Sequence, residues 1–361
     1  VRTAAFVADR LASFGIEVAR GIGRTGVVDT LRAGASGRAI GLRADMDALH
    51  IAEENELDHP SRHAGRMRAC GHDGHTTMLL GAARHLAATR AFDGTVHFIF
   101  QPAEENEGGG RAMVEDGLFT RFPCDAVYGL HNWPGMPAGE FAVMPGPMMA
   151  SFDVFEIVVT GRGTHAAMPH LGIDPIVAAS ALVQALQTIA SRTVSPVDAA
   201  VVSVTQFHAG DTWNVIPAEV TLRGTTRAFR PEVQVAIEAG IRRVSAGIDA
   251  AHGTTSGVRY ERRYPPTINT PAEAERAARA MRALVGEAHV HTALPPTMGA
   301  EDFAFMLQAK PGAYAWIGNG PGEGGCVLHN PRYDFNDAIL PLGAAYWVTL
   351  AEQELGANTR A

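Results

Sequence analysis

The stretch Cys70-Gly71-His72-Asp73-Gly74-His75 sets a thiol, two imidazoles and a carboxylate side by side among flexible glycines. Thiolate, neutral imidazole and carboxylate are the protein ligands of divalent transition metals. Three more segments of this character lie far off along the chain: Gln101-Pro102-Ala103-Glu104-Glu105, Gly129-Leu130-His131-Asn132 and Leu328-His329-Asn330-Pro331. A fold that uses them together must bring four distant pieces of backbone to one point. The first three have an ordinary reading when taken alone: a helix cap, a solvated acidic turn, a satisfied strand-end histidine. A zinc finger would repeat a Cys/His pair at close spacing, and no such pair follows. Taken together, the segments offer metal ligands plus a carboxylate left over for proton transfer, which is what a two-metal hydrolase requires.

The apolar pattern shows how the segments meet. Thr3–Phe14 reads as an amphipathic helix, Ala39–Arg43 as a short strand, Thr76–Thr89 as a helix, and Thr95–Phe100 as a dense strand ending at Gln101-Pro102. Arg111–Phe119 reads as a helix and Ala126–Leu130 as a strand. Apolar strands alternating with helices predict a mostly parallel, buried sheet with helices on both faces. Reactive groups of such sheets gather at the carboxyl ends of the strands. Asp45, Asp47, Glu104, Glu105 and His131 all follow strand-like runs, so one rim is expected to carry them.

Near Ser151 the pattern changes. Phe152–Thr160 is a strand, Asp174–Ser191 a helix with Pro175 in its first turn, and Ala200–Phe207 and Val220–Ala228 are strands. Val233–Ala251 is a helix and Gly257–Tyr264 a strand. The order β-α-β-β-α-β predicts a ferredoxin-like α+β domain. Pro265-Pro266 reads as the return. The expectation is an α/β catalytic domain of residues 1–151 and 267–361, with residues 152–266 inserted as a lid or dimerisation domain. Helices Pro271–Gly286 and Ile339–Leu355 and the strand Ala313–Gly318 complete the first domain.

Composition removes several classes. The net charge is −8 and no Lys/Arg-rich run occurs, which argues against a nucleic-acid partner. No apolar run reaches membrane-spanning length. No charged-then-apolar leader precedes the first helical pattern, and the three cysteines, Cys70, Cys124 and Cys326, are few and odd in number. A reducing, cytoplasmic location is therefore expected.

Together, Arg43-Ala44-Asp45-Met46-Asp47-Ala48-Leu49, the Cys70–Thr76 run, Gln101–Glu105, Gly129–Asn132, Asn214-Val215-Ile216-Pro217, Met298-Gly299-Ala300-Glu301-Asp302-Phe303 and Leu328–Pro331 resemble the M20 metallopeptidase family. Within it they resemble the amidohydrolase branch of hippurate hydrolases, N-acyl-L-amino acid amidohydrolases and auxin-conjugate hydrolases. The resemblance runs in order over nearly the whole chain. It implies cleavage of N-acyl amino acids with two divalent ions (zinc, manganese, cobalt or nickel). It implies Cys70, His72, Glu105, His131 and His329 as metal ligands, with Cys70 shared, and Glu104 as general base. Asp47 matches the carboxylate that orients a ligand histidine, while His75 and Asp73 read as supporting or capping groups. In the inserted domain His165 matches a histidine that polarises the scissile carbonyl in a neighbouring subunit, which implies a homodimer or higher oligomer. Asn214 and Arg227 match substrate-holding positions, and a guanidinium fork suits a carboxylate.

The chain departs from the family in three places. A helix with a His-Pro-Glu run usually comes first and is not among these residues; His50 stands where proline is common, and Arg68 where histidine is common. Two alternatives stay open within enzymes: a deacetylase of N-acetyl-diaminopimelate type and a small-peptide peptidase. A third, of a different class, is a metal-dependent binding protein without catalysis, for which a base such as Glu104 has no use. Redox use of Cys70 lacks a partner cysteine nearby.

Overall fold

The computed structural model describes residues 1–105, 107–322 and 327–356. Cys326 lies outside them; Cys70 and Cys124 are both buried free thiols. The chain divides into two compact units, one of residues 1–148, 268–295 and 302–361, the other of 149–267 and 296–301. The short piece 296–301, which the sequence pattern left with the first domain, belongs to the second unit.

The first unit is built on an eight-stranded sheet in the order Glu17–Ile22, Gly26–Ala33, Gly94–Gln101, Ala39–Asp45, Ala126–Pro134, Gly312–Gly320, Phe141–Ala142, Val290–His291. The central four strands run parallel to one another. The first two strands form an antiparallel hairpin that joins the sheet antiparallel, and Phe141–Ala142 is antiparallel to its Gly312–Gly320 neighbour. The sheet is thus mixed, with a parallel centre. Its central strands are buried along nearly their whole length because both faces are covered. On one face, Tyr128 and Leu130 join a core with residues from helices Arg2–Ser13, His72–Thr89, Pro271–Val285 and Leu340–Leu355. On the other face, Gly129 leaves room for Phe303 and Tyr314.

Two boundaries differ from expectation in ways that matter for the site. The first helix after the Cys/His cluster begins at His72, not Thr76, so His72 and His75 are one turn apart on it. Buried polar residues occupy its first turn, where apolar periodicity gives no signal. The strand Ala126–Pro134 runs through His131 instead of ending before it. The helix expected over Arg111–Phe119 is two pieces, Gly109–Glu115 and Leu118–Arg121, parted at Gly117.

One buried residue opposes the fold. Asp29 on the Gly26–Ala33 strand is fully buried, and Val27 and Leu31 on either side of it belong to the core. Neither carboxylate oxygen has a hydrogen-bond partner. Burial pushes its carboxyl up to about 8, against the pull of Arg20. The folded state therefore holds the proton between pH 4 and pH 8 while the unfolded chain has released it. Stability from this group is complete below pH 4 and is lost as pH rises through 8, on the order of a few kcal/mol. Asp29→Asn is expected to flatten this loss, so that its melting temperature exceeds wild type by a margin that grows from pH 5 to pH 8. Parallel melting curves over that range would show no change in the margin if the carboxyl were ionised throughout.

The second unit has a four-stranded antiparallel sheet in the order Ala200–Ala209, Glu219–Ala228, Phe152–Thr160, Thr255–Tyr264. Helices Pro175–Thr188 and Pro231–His252 share its apolar core through residues such as Leu182, Leu186, Ile237 and Ile241. Asp174 caps the first helix, accepting from the Ile176 and Val177 amides. Among the described residues no helix is long and apolar enough to cross a membrane.

Candidate metal centre

The carboxyl ends of three adjacent parallel strands deliver most of the site. Asp45 is the last residue of Ala39–Asp45, with Asp47 two residues on; Glu104 and Glu105 follow Gly94–Gln101; His131 lies late in Ala126–Pro134. Cys70 and Gly71 lead into the helix that starts at His72. His329 comes from a loop near the C-terminus. Ala103 and His329 both hold left-handed backbone, φ 54° and 65°. Non-glycine residues adopt that region rarely, and such strain clusters at functional sites.

The structure brings Cys70, His72, Glu105, His131 and His329 together. Ligand-type atoms of Cys70, Glu105 and His329 lie within 4.8 Å of one another, as do those of His72, Glu104 and Glu105. Cys70 Sγ is 3.4 Å from His131 Nε2. His329 Nε2 is 3.0 Å from Glu105 Oε1, yet that oxygen makes no hydrogen bond. His72 Nδ1 lies 3.1 Å from Asp47 Oδ1, and Asp47 Oδ2 accepts from the Glu105 amide at 2.9 Å. The other nitrogen, His72 Nε2, is buried with no hydrogen-bond partner. An imidazole held by a carboxylate on one side and left unsatisfied on the other is free to meet a cation. These residues fit a cation by geometry and by donor chemistry.

The electrostatics agree. Burial pushes the Cys70 thiol well up, and the charges of Glu105, Glu104 and Asp45 push it further. Burial alone would lower His72, but Asp45 and Asp47 overcome it and raise the imidazole to about 9. Burial also opposes ionisation of Asp47, and its bond to His72 still holds its carboxyl below the usual range. Burial and the neighbouring His75 push His131 well down, so it is a neutral donor. Several carboxylates thus crowd a thiol that ionises only when a cation offsets them.

Beneath this cluster lies a polar floor built on Asp45, which the sequence pattern places on the rim, and His75, which it reads as a supporting group; the bonds that tie them to Arg43, Gln101 and Asp302 carry no sequence signal. Asp45, fully buried, takes Arg43 Nη1 at 2.9 Å, and its Oδ1 lies 2.7 Å from His75 Nδ1. Arg43 Nε donates to Gln101, and Gln101 Nε2 to Asp302. Burial opposes the Asp45 charge, but His72, His75 and Arg43 hold its carboxyl well below the usual range. Asp45, His72, His75 and His131 also place ligand-type atoms within 4.8 Å of one another, so Asp45 and His75 border the site directly. The alternation Arg43, Asp45, Asp47 at a strand end was the available signal, since alternate residues share a face.

Three expected residues lie in the second unit. His165 is exposed on the two-residue strand Thr164–His165, paired with Val215–Ile216. Its Nδ1 accepts from the Ala167 amide at 3.1 Å, which leaves the ring proton on Nε2. Exposed Asn214 sits beside it, its carbonyl accepting from the Ala166 amide. Arg227 is half-buried, donates to the Met298 carbonyl and stacks over Phe152 at 4.5 Å, so its guanidinium is partly engaged within its own unit.

The model of peptidase family M20/M25/M40 matches residues 41–353. The chain is 43% identical over 349 residues to a hippurate hydrolase of Campylobacter jejuni, covering 97% of this chain and 90% of that one. It is 39% identical over 330 residues to an N-acetylcysteine deacetylase of Bacillus subtilis, covering 91% and 84%. It is 38% identical over 362 residues to the IAA-amino acid hydrolase ILR1-like 2 of Arabidopsis thaliana, covering 98% and 81%. Among solved structures, the Bacillus subtilis YXEP protein, described as a dinuclear metal binding peptidase from the M20 family, superposes with a TM-score of 0.86 at 34% identity, covering 98% and 92%.

Proposed function

The chain belongs to peptidase family M20/M25/M40, and from that membership we propose that it hydrolyses the amide bond of N-acyl or N-aroyl amino acids with two divalent metal ions. Hydrolysis releases a carboxylic acid and a free amino acid. The observation that carries the reading is the paired geometry of His72, held by Asp47 on one nitrogen and unsatisfied on the other, within a ring of Cys70, Glu105, His131 and His329.

When bound, the ions supply Lewis acidity that lowers the pKa of water and polarises the acyl oxygen. Glu104 takes the proton of the attacking water as the new C–O bond forms. It returns that proton to the nitrogen as the C–N bond breaks. Asp47 fixes the tautomer and orientation of His72. His165 Nε2–H donates to the acyl oxygen as it gains charge, a role we assign to the copy supplied by a second subunit. Exposed Trp213 and Val215 flank Asn214 along the chain, Phe207 is exposed on Ala200–Ala209, and that strand is an edge. Both features suit a homodimer made through the second unit. Asn214 and Arg227 are proposed to hold the amino-acid carboxylate. Thiolate and imidazole suit zinc, while carboxylates also admit manganese, cobalt or nickel. A reducing, cytoplasmic setting keeps Cys70 available as a ligand.

The test is an activity panel on metal-stripped and remetallated protein: hippurate, N-acetyl amino acids, N-acetyl-diaminopimelate and small dipeptides. The highest kcat/KM is expected on N-acyl amino acids, lost on chelation and restored by metal. A metal-loaded protein that binds these compounds but turns none over would mark a binding protein instead.

A further inference from the structure

His329 differs from the other ligand-type residues in how it is held. It stands outside any strand or helix, its side chain is half exposed, and its backbone is left-handed. One tie is direct to the neighbour of Cys70: its amide donates to the Ala69 carbonyl at 2.7 Å. A second tie comes through Tyr333, which is 2% exposed. The Tyr333 amide donates to the Asn330 carbonyl, closing a turn just after His329, and its hydroxyl oxygen accepts from the Asn132 side-chain amide at 2.6 Å. Asn132 adjoins His131, and its Oδ1 lies 2.7 Å from His75 Nε2. Gly71, at φ 90°, lies against this pair: a Cβ there would come within 2.3 Å of Asn132 Oδ1 and 2.7 Å of Tyr333 Oη. The backbone joining Cys70 to His72 therefore rests on the Asn132–Tyr333 hydrogen bond.

We propose that Tyr333 is a positioning residue whose hydroxyl, through Asn132, locks the His329 loop against Cys70-Gly71-His72 and His131 and so sets the affinity of the centre for metal. This rests on the metal reading above. One bond touches the backbone of one ligand pair, the neighbour of a third ligand and the turn after a fourth. Losing it leaves the His329 loop to bonds such as His329 to Ala69, Glu54 to Pro331 and Asn55 to Tyr333, none of which reaches Asn132 or His131. The phenol is itself pushed up by burial, so the hydroxyl keeps its proton throughout the working pH range.

The experiment compares tag-free wild type with Tyr333→Phe, which keeps the ring. Zinc or cobalt affinity is measured by competition with a chromophoric chelator, with no substrate present. Partners that support metal ligands typically change affinity about 10–100-fold, so at least one binding step is expected to weaken by about tenfold or more. The metal-free melting temperature is expected to stay within about 2 °C of wild type, and kcat at saturating metal within about threefold, because no ligand is removed. Asn132→Ala removes the same bond, and the double variant is expected to weaken binding no further than Asn132→Ala alone. Metal affinity equal to wild type in Tyr333→Phe, with or without a lower metal-free melting temperature, overturns the proposal, and so does additivity of the two variants. If the protein binds metal yet hydrolyses no N-acyl amino acid, the functional reading fails while this measurement still decides the role of Tyr333.

Discussion

Glu104→Gln is expected to lower kcat by about 10²- to 10⁴-fold while the protein keeps its metal. Glutamine preserves the volume and the hydrogen-bonding amide but cannot accept and return a proton. Glu104 is 6% exposed and shares a cluster with His72 and Glu105. Ala103 turns left-handed between it and Pro102, which separates the backbone direction of Glu104 from that of the strand. Glu105 is the contrasting neighbour: its oxygen lies beside His329 Nε2, and its amide is fixed by Asp47. Glu105→Gln is therefore expected to lose metal first and activity as a consequence. The two variants are separated by measuring bound metal and turnover on the same samples. Near-native turnover in Glu104→Gln with full metal content would refute its role as the base.

The segment that carries these two acids was legible because it follows a run that only burial explains. Val96, Phe98 and Phe100 form one buried stripe that stops at Gln101-Pro102, and the acids after it must sit at the sheet's rim. The floor under the site was legible only in part: the pattern puts Asp45 on the rim and reads His75 as a supporting group, but gives no sign of the pairing of His75 with Asp45 and Asn132. Asp45, His75 and Asn132 are buried polar residues satisfied by one another, and no periodicity marks a polar group whose partners are distant in sequence. The hairpin Glu17–Ile22 and Gly26–Ala33 likewise shows no clear period in the sequence. Its first strand is an edge with several exposed positions, and its second carries Asp29 and Thr30 where an apolar run was sought. The two-residue strands Phe141–Ala142 and Val290–His291 are too short to show a period. Residues 296–301 pack with the second unit through backbone bonds, such as the Ala150 amide to the Thr297 carbonyl, that composition does not encode.

Removal of the thiol is expected to be as severe as removal of the base, by a different route. Cys70 is the residue that connects two sides of the centre: its sulfur is 3.4 Å from His131 Nε2 and also clusters with Glu105 and His329. Serine keeps the shape, yet its hydroxyl does not ionise as a thiol does, so the charge that would sit between two cations is lost. Cys70→Ser and Cys70→Ala are both expected to bind fewer metal equivalents than wild type and to lose turnover by at least about 10³-fold, on the scale of removing a catalytic part outright. The fold should survive, because the thiol is one small buried group beside an intact core. Metal quantitation, melting temperature and turnover on one preparation distinguish the outcomes. Wild-type metal stoichiometry in Cys70→Ala, with turnover preserved, would remove the thiol from the ligand set and leave His72, Glu105, His131 and His329 to hold the ions alone. An intermediate result, one equivalent retained with turnover lost, fits a sulfur shared between two cations, since the remaining ligands can hold a single ion but cannot offset the repulsion of a second.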